Sequence, residues 1–361
     1  MNVKEPNDGE LGRLREEIDR LNERILVDLN ERARLARAIG TLKVGQAYRP
    51  EREAQVLRRI KERNPGPLSG ESVALIFREI MSACLALERP IIVAYLGPKG
   101  TFSESAAMKH FGHAAEGQPA PSIDEVYRAV QSGAADFGVV PVENSTEGAV
   151  GRSLDLMPQS PLKVCGEVLI AIHHHLMANG VTDLASIRRV YSHSQSLAQC
   201  HEWLNNNLAQ AERIAVASNA EAARRAAEDP GTAAVAGDAA AAHYKVAIHA
   251  SNIEDEPNNT TRFLVLGNYE PRPSGRDRTS LVLSAKNRAG AVYEMLTPFA
   301  TRGVSMTKFE SRPSRVALWE YLFFVDIEGH RDDPPVAEAL AEVGRIAGYM
   351  KVLGSYPMAV L

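Results

Sequence analysis

Residues 91–103 read IIVAYLGPKGTFS, a short apolar run that ends in a turn of glycine, proline and small polar residues. Such a run followed by such a turn indicates a buried strand that leads into a helix. Similar apolar runs recur further along, and most of them precede a helical pattern; they lie at 137–140, 168–172, 189–191, 214–216, 233–236 and 263–266. This alternation predicts an α/β domain with a largely parallel sheet.

The chain before residue 91 has a helical pattern. Apolar residues from Leu11 to Ile39 recur at intervals of three and four, which indicates one face of a long helix. A helix of roughly 30 residues extends about 45 Å, too far to be buried alone in so small a domain. Pro50 is placed to begin a second helix, NPGP at 64–67 to end it, and Ser69 or Ser72 to cap a third helix. Three helices of such unequal length favour a bundle that a second copy of the chain completes.

The C-terminal part predicts a third domain. From Thr279 onward, strand-like and helix-like stretches follow in the order βαββαβ, which is the ferredoxin-like plan. We therefore predict domains at 1–90, 91–270 and 279–361, with a Pro/Gly/Arg-rich linker at 271–278. The fold alone does not establish a regulatory role for the last domain.

Composition excludes several classes of protein. The chain has 361 residues, of which 45% are apolar and 24% charged, with a net charge of -4. These values are typical of globular proteins, and no dense basic patch suggests nucleic-acid binding. No apolar run is long enough to span a membrane, and residues 1–11 lack the apolar core of a secretion signal, so we expect a cytoplasmic protein. The three cysteines are too far apart for a disulfide framework or a Cys-x-x-Cys metal site.

Arginine is the dominant cation of residues 1–90, and its planar guanidinium favours carboxylate ligands. Arg32 and Lys43 are 11 residues apart and point in nearly the same direction on one helix, whereas Arg15 lies roughly 25 Å along the axis from Arg32. A small ligand can contact all three only if Arg15 comes from another protomer. A solvated charged helix face would explain the same spacing.

Residues 11–88 resemble the all-helical chorismate mutase domain that forms an intertwined dimer. The matching pieces are LREEI at 14–18, ERARLA at 31–36, Lys43, RE at 52–53 and FREIM at 77–81. The resemblance implies a chorismate site made of Arg15 from a partner chain, Arg32, Lys43, Arg52, Glu53, Cys84 and Glu88. In it, the first three cations bind the carboxylates and the ether oxygen, and Glu53 holds the ring hydroxyl.

This chain departs from the family pattern where the usual Ser, Gln and Asp fall on Cys84, Glu88 and Arg49. Glu88 would have to be protonated to donate a hydrogen bond to the ether oxygen, so we predict mutase activity that declines as pH rises, with Lys43 as the second catalytic group. A pericyclic rearrangement needs no nucleophile; it needs a folded dianion and donors aimed at the ether oxygen.

Polar turns recur where the predicted strands of the middle domain end, at PVENSTEG (141–148), SHSQS (192–196) and NTTRF (259–263). Each could be an ordinary turn, but ligands of open α/β sheets bind at such strand ends. Together with GPKGTFS, they make residues 91–267 resemble prephenate dehydratase. The resemblance implies a two-lobed fold similar to type II periplasmic binding proteins, with prephenate in the cleft.

By that resemblance, Thr261 would be catalytic and would donate a proton or hydrogen bond to the ring hydroxyl that departs as carbon dioxide leaves. The implied prephenate-binding residues are Thr101, Glu143, Asn144, Ser145, Ser192, Gln199, Thr261 and Arg262. The run of three histidines at 173–175 could instead suggest a metal. Neighbours in a strand point to opposite faces and no acidic or thiol partner is near in sequence, so we favour packing and hydrogen bonding there and predict neither metal nor cofactor.

Residues 279–361 resemble an ACT domain of the kind that binds phenylalanine, on the motifs NRAGAV (287–292) and ESRP (310–313). The implied phenylalanine-binding residues are Asn287, Gly290, Ala291, Val292, Glu310, Ser311 and Arg312. A helix start and a surface ion pair would explain the same residues without a ligand. Phenylalanine would favour a dehydratase conformation that binds prephenate poorly.

These resemblances predict an enzyme that converts chorismate to prephenate and then to phenylpyruvate, is inhibited by L-phenylalanine, and forms a homodimer or higher oligomer without nucleic acid or membrane. Two rival hypotheses are a two-lobed solute-binding protein and a silent regulator whose helical domain only dimerises. Incubation of the protein with chorismate distinguishes all three.

Overall fold

The computed structural model describes residues 8–42, 48–180, 183–286, 288–314 and 321–361. The N-terminal domain consists of helices α1 (Asp8–Leu42), α2 (Pro50–Arg63) and α3 (Gly70–Ala86). Pro50 occupies the first turn of α2, and the Ser69 side chain accepts a hydrogen bond from the Ser72 amide to cap α3. The predicted long first helix and both helix starts are confirmed.

Helix α1 is far longer than its two partners and leaves an apolar stripe exposed. It has 35 residues against 14 in α2 and 17 in α3, and it packs on α3. Leu14, Ile18, Leu21 and Ile25 are 46–56% exposed, although their spacing is that of a core-facing helix side. Within this chain, the apolar face of α1 is therefore largely uncovered.

Two lobes make up the middle domain. The first lobe contains β1 (Ile92–Leu96), α4 (Phe102–Phe111), β2 (Glu116–Ala120), α5 (Ile123–Gln131), β3 (Phe137–Asn144), β4 (Gly148–Ala149), α6 (Gly151–Leu156) and β5 (Lys163–Ala171). The second contains β6 (His175–Ala178), β7 (Arg189–Ser192), α7 (Ser194–Gln199), α8 (His201–Asn207), β8 (Glu212–Ala215), α9 (Asn219–Glu228), β9 (Thr232–Ala236), α10 (Asp238–Tyr244) and β10 (Ala247–Ala250). Strand β11 (Thr260–Gly267) then returns to the first lobe. The predicted two-lobed plan is confirmed.

Both sheets of the middle domain are largely parallel, as expected, but each contains a strand that runs in the opposite direction, β11 in the first lobe and β6 in the second. The sheets have the orders β2-β1-β3-β11-β5 and β10-β6-β9-β7-β8. Strand β1 runs parallel to β2 and β3, but β11 is antiparallel to both of its neighbours, and β6 is antiparallel to β9 and β10. Because β11 re-enters the first lobe from the second, it runs against the strands beside it. A strand that is buried on both faces is apolar whichever way it runs, so its sequence does not show its direction.

The C-terminal domain has the predicted βαββαβ order. Its elements are β12 (Asp277–Ser284), α11 (Ala291–Thr301), β13 (Met306–Pro313), β14 (Tyr321–Glu328), α12 (Pro334–Ile346) and β15 (Tyr349–Pro357), with sheet order β13-β14-β12-β15. One apolar cluster includes Val164 and Leu266 of the first lobe together with Phe324 and Tyr356 of this domain. The two domains therefore share a core. No helix in the described ranges is both long and apolar enough to cross a membrane.

Candidate active site

A cleft of about 900 Å³ separates the two lobes of the middle domain. The first lobe supplies the ends of β1, β3, β5 and β11 and the first turn of α4, and the second lobe supplies the turns before α7, α9 and α10. Four predicted prephenate-binding residues meet there: Thr101, Asn144, Gln199 and Thr261. Residues far apart in sequence thus share one site, at the carboxyl ends of β1, β3 and β5 and the amino end of the reversed strand β11.

The Thr261 hydroxyl lies beside the Asn144 amide. Asn144 Oδ1 accepts hydrogen bonds from the backbone amides of Thr146 and Glu147, both at 3.0 Å, which fixes the orientation of the amide. Its Nδ2 then donates to Thr261 Oγ1 at 2.8 Å and to Asn259 Oδ1 at 2.7 Å. Because Thr261 Oγ1 accepts this bond, its own proton is free to be donated elsewhere.

Gln199 reaches the cleft from the second lobe and is held by His174. His174 Nε2 lies 2.9 Å from Gln199 Oε1, and Gln199 Nε2 lies 3.5 Å from Glu147 Oε1 in the first lobe. Burial lowers the pKa of His174, and the bond to Gln199 opposes that shift. The oxygen of Gln199 can only accept, so His174 carries its proton on Nε2 and turns the Gln199 amide nitrogen toward the other lobe.

Four of the predicted prephenate-binding residues do not line the cleft: Glu143, Ser145, Ser192 and Arg262. Glu143 and Arg262 each precede or follow a lining residue in a strand, and adjacent strand residues face opposite sides of a sheet. Ser145 binds the Thr260 backbone at the loop edge. Ser192 is fully buried behind the cleft and donates to Asn219 Oδ1 or the Val235 carbonyl. Direct contact with prephenate is unsupported for these four.

Arg262 instead faces the C-terminal domain. Its guanidinium donates to Glu167 Oε2 and to Tyr356 Oη, each at 2.9 Å, and forms an ion pair with Asp326. Lys308 of β13 lies 3.0 Å from Glu143 Oε2 in the same region. The strand that places Thr261 in the cleft therefore places Arg262 in a buried polar network with β14 and β15.

The predicted prephenate-binding residues leave out several that line the cleft, among them Phe102, His193 and Asn219, although the polar turns at 97–103 and 192–196 contain the first two. Asn219 accepts from the His193 amide and donates to Ser196 Oγ, so it joins two turns of the second lobe. Both turns stand where strands end, and this position was the available signal.

The run of three histidines is divided among three different partners. His173 Nδ1 lies 2.7 Å from Glu254, His174 binds Gln199, and His175 Nε2 lies 2.9 Å from Asp238. Packing and hydrogen bonding, as predicted, describe all three side chains. Among the described residues, no group of three or more His, Cys, Asp or Glu side chains is arranged to hold a metal ion.

The helical domain brings part of the predicted chorismate site together. Burial raises the pKa of the Glu53 carboxyl, while Arg78, a hydrogen bond from Tyr48 and nearby Arg32 act against this. Arg32 Nη1 is buried and has no hydrogen-bond partner among the described residues. A buried guanidinium donor without an acceptor is costly, and an anionic acceptor at Arg32 Nη1 would remove that cost.

The remaining predicted mutase residues are placed as follows. Cys84 is buried, and the Glu88 side chain packs so closely on α1 that a Cβ at Gly40 would lie 2.5 Å from Glu88 Cδ. Arg15 and Arg52 are exposed, and Arg15 lies two turns inside the other end of α1. Lys43 lies outside the described residues. Arg15 and Arg32 of one chain are too far apart to bind one small ligand.

A second cleft, of about 980 Å³, lies between the C-terminal domain and α6. Ala291 and Val292 at the start of α11 line it, as does Arg312, whose Nη2 donates to Asp155 Oδ1 at 3.2 Å. Gly290 is the N-cap residue that precedes α11, and its φ of +79° is a conformation that favours glycine. Three of the other predicted phenylalanine-binding residues do not line this cleft, namely Gly290, Glu310 and Ser311, and Asn287 lies outside the described residues.

The fold and the cleft define a two-lobed enzyme domain between a helical domain and a ferredoxin-like domain. The prephenate dehydratase family matches residues 93–271, the type II chorismate mutase family residues 14–89, and the ACT domain family residues 279–345. The chain belongs to the family of bifunctional chorismate mutase/prephenate dehydratases.

Individual relatives support this assignment. A bifunctional chorismate mutase/prephenate dehydratase of Neisseria gonorrhoeae is 57% identical over 96% of this chain and 97% of its own length. One from Pseudomonas aeruginosa is 50% identical over 98% of this chain and 99% of its own. A solved prephenate dehydratase of Arthrobacter aurescens in complex with L-Phe has a TM-score of 0.69 and 34% identity, and covers 74% of this chain and 90% of its own.

Proposed function

We propose that this chain is a bifunctional enzyme of phenylalanine biosynthesis. It rearranges chorismate to prephenate, converts prephenate to phenylpyruvate with loss of water and carbon dioxide, and is inhibited by L-phenylalanine. The observation that carries the proposal most directly is the Asn144–Thr261 hydrogen bond in the cleft, which leaves the threonine proton free. All three cysteines are free thiols, which suits a reducing compartment, and we propose the cytoplasm.

In the dehydratase step, the Thr261 hydroxyl donates to the ring hydroxyl that departs. A threonine hydroxyl is a weak acid, so it assists a reaction in which aromatisation supplies most of the driving force. Asn144 holds the Thr261 oxygen, and Gln199 presents its amide from the opposite lobe. Thr101 begins α4, whose first amides suit a substrate carboxylate. Four residues that do not line the cleft support the residues that do: Glu143, Ser145, Ser192 and Arg262.

In the mutase step, Arg32 and Lys43 bind the chorismate dianion together with Arg15 of a second chain. Arg52 and Cys84 also contact chorismate, Glu53 accepts from the ring hydroxyl, and protonated Glu88 donates to the ether oxygen. The supporting observation is the orphaned Arg32 Nη1. Mutase turnover should decline from pH 5 to 9, and a flat profile over that range would count against the role of Glu88.

We propose that the active form is a homodimer paired along α1. The exposed stripe from Leu14 to Ile25 gives this pairing its apolar surface, and burial of an exposed Leu or Ile contributes about 1.5–3 kcal/mol. Two α1 helices that pair in opposite directions would bring Arg15 of one chain to the Arg32 end of the other. A higher homo-oligomer would be built from such dimers.

Phenylalanine is proposed to bind beside the start of α11, with its carboxylate on the first amides and its side chain near Val292. Arg312 at this cleft pairs with Asp155 and lies 3.8 Å from Glu310. We keep Asn287, Gly290, Ala291, Glu310 and Ser311 as proposed phenylalanine-binding residues on the family resemblance. Inhibition requires that the amino acid bind one conformation of the dehydratase domain better than another.

Incubation of the purified full-length protein with chorismate tests the proposal. Prephenate should appear first and phenylpyruvate second, and added L-phenylalanine should reduce the second step. Tight binding of prephenate without turnover would favour the solute-binding hypothesis. An intact dimer that leaves chorismate unchanged would favour the silent regulator for the helical domain.

A further inference from the structure

One arginine of α3 joins the helical domain to the end of α4 in the middle domain. Arg78 is 7% exposed, and its Nη1 donates to the backbone carbonyls of Lys109, at 3.1 Å, and His110. These carbonyls belong to the last turn of α4, where unpaired C=O groups and the negative end of the helix dipole favour a cation. Arg78 therefore caps a helix of another domain.

The same guanidinium holds a residue of the proposed mutase site. Arg78 Nε lies 2.9 Å from Glu53 Oε1, and both side chains are largely buried. The groups that face Glu53 are Arg78 from α3, Tyr48 from the segment before α2, and Arg32 from α1. Tyr48 Oη is in turn 3.0 Å from His110 Nε2 of α4. The Glu53 carboxylate is thus fixed by groups that also contact α4.

The other end of α4 lies in the prephenate cleft. Helix α4 has ten residues, and at 1.5 Å per residue it is about 15 Å long. Thr101 caps its N-terminus, and Phe102 and Ser103 in its first turn line the cleft. If so short a helix moves as one body, a displacement of its Arg78 end also displaces its cleft end.

We propose that Arg78 is a positioning residue of the mutase site that couples this site, through α4, to the dehydratase cleft. The inference rests on the two proposed activities. Arg78 contacts neither substrate and acts through Glu53 on one side and the α4 carbonyls on the other. Both tasks together need a positive charge beside Glu53 and a donor aimed at the α4 carbonyls, and lysine offers a point charge without the rigid fork of arginine.

The test compares Arg78→Met and Arg78→Lys in the full-length protein with Arg59→Met, a control that removes an exposed arginine of α2. R78M should lower mutase kcat/KM about tenfold or more, since small misplacements in a site cost this much. As the pH is lowered, R78M should also lose mutase activity at a higher pH than the wild type does, because Glu53 has lost its nearest cation and is protonated more readily. The dehydratase KM for prephenate should rise about threefold with little change in kcat.

In R78K, the loss of mutase activity at acid pH should occur at the same pH as in the wild type, whereas the dehydratase KM for prephenate should stay raised. R59M should match the wild type in both activities. A mutase pH profile and a dehydratase KM that are the same in R78M and R59M would overturn the proposal. Equal losses of both activities in proportion to the folded fraction, measured by circular dichroism, would also overturn it.

If R78M does not fold, the dehydratase KM of R78K decides, since it must rise if Arg78 caps α4 as proposed and an unchanged value rejects the coupling. Wild-type protein without mutase turnover would refute the proposed function instead. The KM comparison would then still measure whether Arg78 acts on the prephenate cleft.

Discussion

Replacement of Thr261 by valine removes one hydroxyl from the cleft and keeps the shape of the side chain. The Asn144 amide loses one acceptor but keeps Asn259 Oδ1 at 2.7 Å, so the cost to stability should be about 1 kcal/mol. The loss in catalysis should be larger, because a preorganised donor to a group that gains charge in the transition state contributes about 2.7–4 kcal/mol. Dehydratase kcat should therefore fall about 100- to 1000-fold.

The assay follows phenylpyruvate formation from prephenate and, in the same preparation, the disappearance of chorismate. Mutase turnover should be unchanged in Thr261→Val, since Thr261 lies in a different domain from Arg32 and Glu53. Thr261→Ser keeps a hydroxyl at the same position and should retain turnover within about tenfold of the wild type. Dehydratase kcat of Thr261→Val within about threefold of the wild type would remove the hydroxyl from the mechanism.

Three further changes test other parts of the molecule. Leu21→Lys in the exposed stripe of α1 should yield monomers by light scattering and lower mutase turnover at least about tenfold, whereas Glu23→Lys should not; a fully active monomer would contradict the paired site. Asp326→Asn should reduce the free energy of unfolding by about 2 kcal/mol, because Glu167 still neutralises Arg262, and should raise the phenylalanine concentration for half-inhibition; unchanged inhibition would exclude this network from the coupling. Burial, with a smaller effect of Arg78, holds the pKa of His110 well below its ordinary value, so the folded state binds fewer protons than the unfolded chain and stability falls as pH drops below about 6.5. In thermal melts from pH 8 to 5, His110→Gln should show a weaker dependence on pH than the wild type, and an equal dependence would reject this assignment.

The helices and strands of all three domains were predicted because each is specified by residues close together in sequence. The period of α1, Pro50 at the start of α2 and Gly290 at the start of α11 are features of neighbouring residues. The direction of β11 depends on where the chain re-enters the first lobe, which no local pattern encodes. That is why the strands and their largely parallel arrangement were predicted, whereas the reversal of β11 and β6 was not.

The cleft was predictable to the extent that strand ends carry polar turns. Thr101, Asn144 and Thr261 lie in such turns, whereas Gln199 was named only through the resemblance to prephenate dehydratase; the structure brings all four together. The role of His174 could not be predicted, since its partner Gln199 is 25 residues away and in another element. Arg78 gave no signal either, because both of its partners come from other parts of the chain.

Neighbouring residues of β11 face opposite sides of the sheet, and this connects the C-terminal domain to the dehydratase cleft. Thr261 faces the cleft, and Arg262, one residue on, faces the opposite side and is bound by Asp326 and Tyr356 of the C-terminal domain. A conformational change that moves β14 or β15 must therefore strain Arg262 or move β11, and with it the Thr261 hydroxyl. Linkage is reciprocal for binding, so prephenate in the cleft must weaken phenylalanine binding by the same factor by which phenylalanine weakens prephenate binding. Both effects should shrink together when the Arg262 network is broken, and this joint loss separates a coupling through β11 from a direct block of the cleft.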